Sequence, residues 1–109
     1  MLKKTERLSR TDFNSFFKKG RRYHGEQCSI VFTPYLTLHA SVVVGKKVHK
    51  QAVVRNTLRR RVYSQLYTLK NLNQSGVFIV ILKPTFNTLT RKAAHAHLRE
   101  LIERIVKPA

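Results

Sequence analysis

Apolar residues first recur at helical spacing near the N-terminus, where Phe13, Phe16 and Phe17 fall at i, i+3 and i+4. That spacing predicts a short amphipathic helix. It begins at Thr11, which is able to cap it, carries Asp12 in its positively polarised first turn, and stops at Gly20. Phe16 reads as core, while Phe13 and Phe17, one turn apart, are free to line a groove. Two runs rich in Val, Ile and Phe follow the basic link Arg21–Arg22. They span Cys28 to Thr33 and Leu38 to Gly45, and the short link Pro34 to Thr37 predicts a hairpin-like pair. A weaker signal over Arg22 to His24 gives a short extra strand. From about Gln51 the period returns to helical, with Val54, Leu58, Val62, Leu66 and Leu69 forming one apolar stripe. Asn56, Arg59, Arg60, Tyr63 and Tyr67 lie away from that stripe, and Arg55 and Arg61 sit at its edges. After a loop containing Asn71, Asn73, Ser75 and Gly76, Val77 to Lys83 reads as a continuous apolar strand of the interior kind, closed by Pro84. A last helix is expected from near Thr88 or Thr90. It buries Leu98, Leu101, Ile102 and Ile105 and exposes Arg99 with Glu103 and Glu100 with Arg104 as i,i+4 pairs.

The order is therefore helix, two or three strands, helix, strand, helix, a compact α/β layer. With 109 residues and 42% hydrophobic content the chain can bury one modest core, so a single domain over residues 1–109 is expected. Charge changes the picture most. The chain has 22 Lys and Arg against 5 Asp and Glu, a formal net charge of +17. Between Gln27 and Arg99 it has no acid at all and twelve basic residues, seven of them between Lys46 and Arg61. Like charges so close repel one another unless a polyanion supplies the counter-charge and sheds its own condensed ions. A nucleic-acid partner is expected, and the start of the basic helix offers unpaired N–H groups to phosphate as well.

Other chemistry is thin. Metal-dependent phosphodiester cleavage needs converging carboxylates, and the five acids lie in the terminal helices and at Glu26. His95 and His97, two residues apart on a helix, point to nearly opposite sides, so they form neither a metal clamp nor an acid/base couple. His24 and His39 read as strand or loop residues and His49 as a group near phosphate. No glycine-rich nucleotide loop or nucleophile elbow occurs. No catalytic residue, bound metal or small-molecule substrate is therefore expected on this chain. The single cysteine, Cys28, excludes an internal disulfide and fits a reducing, cytoplasmic setting. The longest apolar run, Val77 to Leu82, is too short to span a bilayer. Met1 to Arg10 lacks the apolar segment of a secretory signal, and Glu6 and Asp12 count against a transit peptide.

Lys46 and Lys47, followed by Ala52, Val53, Val54, Arg55, Asn56, Thr57, Leu58, Arg59 and Arg60, resemble the signature of the bacterial ribonuclease P protein family. Its usual form is a Lys-Lys pair and then Arg-Asn-Arg-hydrophobic-basic-Arg; Thr57 stands where the second Arg belongs. Asp12-Phe13, Phe17 and Gly20 resemble that family's first helix, and Val77 to Pro84 its apolar strand, so nearly the whole chain is covered. The resemblance implies an α+β two-layer sandwich of order helix-strand-strand-strand-helix-strand-helix with a left-handed crossover. It implies the protein subunit of a ribonucleoprotein endonuclease that removes the 5′ leader of precursor tRNA, with Mg²⁺ and hydrolysis belonging to the RNA subunit. Contacts to that RNA are implied for Lys46, Lys47, Lys50, Arg55, Asn56, Arg59, Arg60 and Arg61. A cleft for the single-stranded leader is implied at Phe13, Phe17 and Phe32, since aromatics beside positive charge suit unpaired nucleotides. The residues alone leave two alternatives, a small basic ribosomal or ribosome-assembly protein and a DNA-binding protein.

Overall fold

In the computed structural model, which describes residues 7–71 and 74–106, the first helix is capped by Ser9 and not by Thr11. The Ser9 hydroxyl accepts the Asp12 N–H at 3.2 Å, so α1 spans Arg10–Lys19 with Asp12 still in its first turn. The Gly20 N–H closes the helix onto the Phe16 carbonyl at 2.9 Å. Four strands follow or intervene: β1 (Arg21–His24), β2 (Cys28–Thr33), β3 (Leu38–Val43) and β4 (Gly76–Leu82). The helices after β3 are α2 (Ala52–Asn71), a short α3 (Pro84–Thr88) and α4 (Arg91–Val106). Thr90 caps α4 by accepting the Ala93 N–H at 3.2 Å. The short α3 was not expected from the sequence, because Pro84 serves as its first residue as well as closing the strand.

The sheet has the order β1-β2-β4-β3. β4 runs antiparallel to β2 and parallel to β3, so the expected hairpin of β2 with β3 does not form. The link from Pro34 to Thr37 instead arches over the start of β4, where the Gly76 N–H donates to the Thr37 carbonyl at 3.2 Å. A four-residue link can reach across one intervening strand, about 10 Å between its neighbours. Burial drives this choice. Every residue of β4 except Ile81 is buried, so that strand needs both faces covered and a neighbour on each side. Gly76 makes the entry with φ +122, where a Cβ would also collide with the Phe32 ring.

Alternation along the strands sorts the two faces. Cys28 and Ile30 of β2, Leu38, Ala40 and Val42 of β3, and Phe78, Val80 and Leu82 of β4 meet Leu58, Val62 and Leu66 of α2 and Leu98, Leu101, Ile102 and Ile105 of α4 in one core. This is the expected α/β sandwich, and the buried face of α4 is the expected one. The side chain of Leu69, the last stripe position, lies outside the described residues, as does Asn73 of the expected loop. Tyr63 and Tyr67, placed by periodicity away from the stripe, both pack on the core. The reason is that α2 leans on the edge strand β3, where the Tyr63 hydroxyl accepts the buried Val42 N–H at 3.2 Å. The same edge is covered further along by the N-terminal segment, whose Leu8 N–H donates to the Ala40 carbonyl at 3.1 Å. Val31, Val77 and Ile79 point to the opposite face and are buried outside that core. There α1 covers them, so close to β2 that a Cβ on Gly20 would stand 2.9 Å from the Thr33 hydroxyl.

Candidate nucleic-acid interface

The basic stretch is an ordered loop leading into a helix. The Val48 N–H donates to the Gly45 carbonyl at 3.0 Å, and the Val48 side chain is buried, which pins the loop to the core and turns Lys46, Lys47 and Lys50 outward. His49 accepts the Gln51 N–H on Nδ1 at 3.1 Å, so its ring serves the loop's own backbone. Arg55 reaches back from α2 and donates to the carbonyls of His49 at 3.0 Å and Lys50 at 2.8 Å. Its guanidinium therefore shapes the loop that presents the lysines. One turn on, Arg59 donates to the Asn56 side-chain oxygen. Asn56 and Arg60 are exposed beside Thr57, whose hydroxyl is turned onto the Val53 carbonyl at 3.0 Å. Val53 itself is 76% exposed, an apolar contact offered in the middle of the charge.

A second surface lies on the other side of the sheet. Phe13 and Phe17 stack with ring centroids 5.5 Å apart and 21° between planes, and neither is buried, since no residue of α1 is. The Arg22 guanidinium stands 4.5 Å from the Phe17 centroid. Arg22 alternates with Arg21 along β1 and is registered to Val31, which places it on the α1 face. Phe16 turns the other way, edge-on to Tyr35 at 5.6 Å. Phe32, expected in this cleft, is elsewhere. It shares the parity of Ile30, packs against Phe78 at 4.9 Å and belongs to the α2 face of the sheet. Arg22 is the residue that sequence reasoning passed over; strand alternation in β1 was the signal that could have placed it.

Burial and neighbouring charge act on two titratable groups. Burial pushes the Cys28 thiol up to about 11 against a smaller lowering by Lys83, so it is a protonated strand residue, not a nucleophile. His95 is held below its ordinary value, first by burial and then by Arg91, Arg61 and Arg99. Arg61, at the edge of the apolar stripe and expected among the RNA contacts, is half-buried and lines a cavity with His95. Among the described residues no three His, Cys, Asp or Glu side chains come together to hold a metal ion, and no helix is long and apolar enough to cross a membrane.

This arrangement can be set beside known proteins. The family model described as Ribonuclease P matches residues 2–106. The chain belongs to the ribonuclease P protein family. It is 33% identical to the ribonuclease P protein component of Pseudanabaena sp. over an alignment of 113 positions, covering 100% of this chain and 95% of that one. It is 30% identical to the component of Picosynechococcus sp. over 97 residues, covering 87% of this chain and 81% of that one. The RNase P protein of Staphylococcus aureus has the same fold, with a TM-score of 0.83 at 22% identity over 94% of this chain and 95% of that one. As a ribonuclease P protein component the chain is part of an endoribonuclease of tRNA processing and has an RNA partner. The ribosomal and DNA-binding alternatives fall away.

Proposed function

We propose that this chain binds the RNA subunit of ribonuclease P through Lys46, Lys47, Lys50 and the first turns of α2. In the same holoenzyme the cleft between α1 and the sheet takes the single-stranded 5′ leader of precursor tRNA, promoting endonucleolytic release of the leader. The observation that carries this reading is the Arg22 guanidinium 4.5 Å over Phe17, itself stacked on Phe13, on the sheet face away from α2. A base-stacking platform with a fixed positive charge thus sits apart from the basic helix, which lets one small protein hold two RNA segments at once. Lys46, Lys47, Lys50 and Arg60 act as phosphate contacts, with Arg55 bracing the loop that carries the lysines and Asn56 orienting Arg59. On this reading hydrolysis and its Mg²⁺ are left to the RNA subunit; among the described residues no three His, Cys, Asp or Glu side chains gather to hold a metal ion. The cytoplasm, where precursor tRNA is made in bacteria, is the place of work this implies.

Reconstitution with a ribonuclease P RNA tests the reading. The protein alone should leave precursor tRNA intact and, added to the RNA, should lower the Mg²⁺ concentration needed for cleavage, since +17 charges offset phosphate repulsion. Robust cleavage by RNA-free protein, or an unchanged Mg²⁺ requirement, defeats it.

A further inference from the structure

Where α2 passes the beginning of α4, two polar atoms are buried without a partner. Gln65 Nε2 donates to the His95 carbonyl at 2.8 Å and ties the helices together, yet Gln65 Oε1 and His95 Nε2 make no hydrogen bond. Among the described residues only Thr33 Oγ1 shares that condition. Folded chains pair nearly all such atoms, and since Gln65 does not line the adjoining cavity, it is His95 Nε2 that bears on a ligand there. His95 lines a cavity of about 30 Å³ together with Arg61, Arg91 and Asn87 and the apolar Leu58 and Phe86. That space admits one or two oxygen-sized atoms and excludes a nucleotide base. Arg91 and Ala94 bring the first turn of α4 to the same cavity, and with it the positive end of a 16-residue helix dipole. The charge is one-sided: Arg61 from α2 and Arg91 and Arg99 from α4 are the groups that act on the imidazole. The larger groove of about 280 Å³ between the β1–β2 turn and α4 differs, because Glu26 and Glu100 stand against the single guanidinium of Arg104 there.

We propose that this cavity is a phosphate site, in which one oxygen of an RNA backbone phosphate enters between Arg61 and Arg91 and accepts the N–H of His95 in its Nε2–H form. The proposal rests on the reading that this chain works against RNA, and it carries the contact surface from the basic helix to Arg91 and His95. A neutral imidazole suits the task, since it donates one hydrogen bond while the two guanidiniums supply the charge.

The test uses the full chain labelled with ¹⁵N at histidine, titrated first with inorganic phosphate and then bound to a ribonuclease P RNA. Phosphate should shift the His95 ring nitrogens saturably and raise the His95 titration midpoint, as an anion offsets Arg61, Arg91 and Arg99, while His24 and His39 respond little. Arg91→Gln and, separately, Arg61→Gln should abolish that response with an unchanged circular dichroism spectrum; Arg91 is exposed, so its replacement leaves the core intact. With the RNA, Arg91→Gln should reduce the slope of log affinity against log salt by about 0.7 to 0.9 unit, the value of one phosphate contact. His95 signals indifferent to phosphate overturn the site, whatever the RNA does. A phosphate response with an unchanged salt slope overturns RNA as its source and leaves free phosphate as the ligand. Failure of the unmodified chain to bind the RNA strikes the proposed function instead, and the phosphate titration still decides the site.

Discussion

Replacing Phe17 with Ala separates binding from packing in the α1 cleft. A core Phe→Ala change costs about 3–5 kcal/mol, but Phe17 is half-buried on a helix with no buried residue. What the free protein loses is the stack on Phe13 at 5.5 Å, about 0.5–1.5 kcal/mol, and the Arg22 contact at 4.5 Å, about 0.5–1 kcal/mol at an exposed site. These two contacts together amount to about 1–2.5 kcal/mol, to which the apolar area of the half-buried ring adds a smaller share than a core Phe would. A lost base-stacking contact weakens leader binding by about 1–3 kcal/mol, or about 5- to 150-fold. The assay is urea denaturation of the free protein beside two affinities of the reconstituted holoenzyme, one for precursor tRNA with a leader of several nucleotides and one for mature tRNA. The leader-bearing substrate should lose the stated factor and mature tRNA almost none. Equal losses for both substrates, or a stability loss near 4 kcal/mol with no leader dependence, would show that Phe17 is packing and that the cleft is not where the leader lies.

Tyr63→Phe keeps the ring but leaves the buried Val42 N–H without its acceptor, and should cost about 1–3 kcal/mol in urea denaturation; a change below about 0.5 kcal/mol would mean that this edge of β3 finds another partner. Lys47→Ala and Arg60→Ala remove exposed charges and should each lower the salt slope of RNA binding by roughly one unit at constant melting temperature. Arg55→Ala should instead release the loop at the His49 and Lys50 carbonyls and lower both affinity and melting temperature; a purely electrostatic signature like that of Arg60 would contradict its structural role. Cys28 should resist thiol reagents until the protein is unfolded. Its folded value of about 11 lies above the ordinary 9.0, so its contribution to stability is complete below pH 9 and lost as pH rises toward 11. The pH dependence of the difference between the unmodified protein and Cys28→Ala measures it, and a flat difference refutes the burial argument.

Interactions between near neighbours in the chain were legible in its residues. The 3.6 period of Leu58, Val62 and Leu66, the apolar run of β4 and the face of Leu98, Leu101 and Ile105 reflect repeats that any amphipathic element must show. The basic loop and helix were legible too, since net charge is a sum over residues and does not depend on the fold. Which strands pair could not be read, because hydrogen bonding between strands is a choice among distant partners that local composition leaves degenerate. The burial of β4 on both faces broke the tie, inserting it between β2 and β3. That insertion, with the strict alternation of strands, sent Phe32 to the core face and Arg22 to Phe17. Tyr63 followed from α2 lying against a strand edge that needed an acceptor, and the meeting of Arg61, Arg91 and His95 from how α2 crosses α4. The sequence by itself determined the elements other than α3, the strongly basic charge and the family. The tertiary structure decided which side chains meet, because contacts across a sheet or between helices depend on three-dimensional register, to which the spacing along the chain is blind.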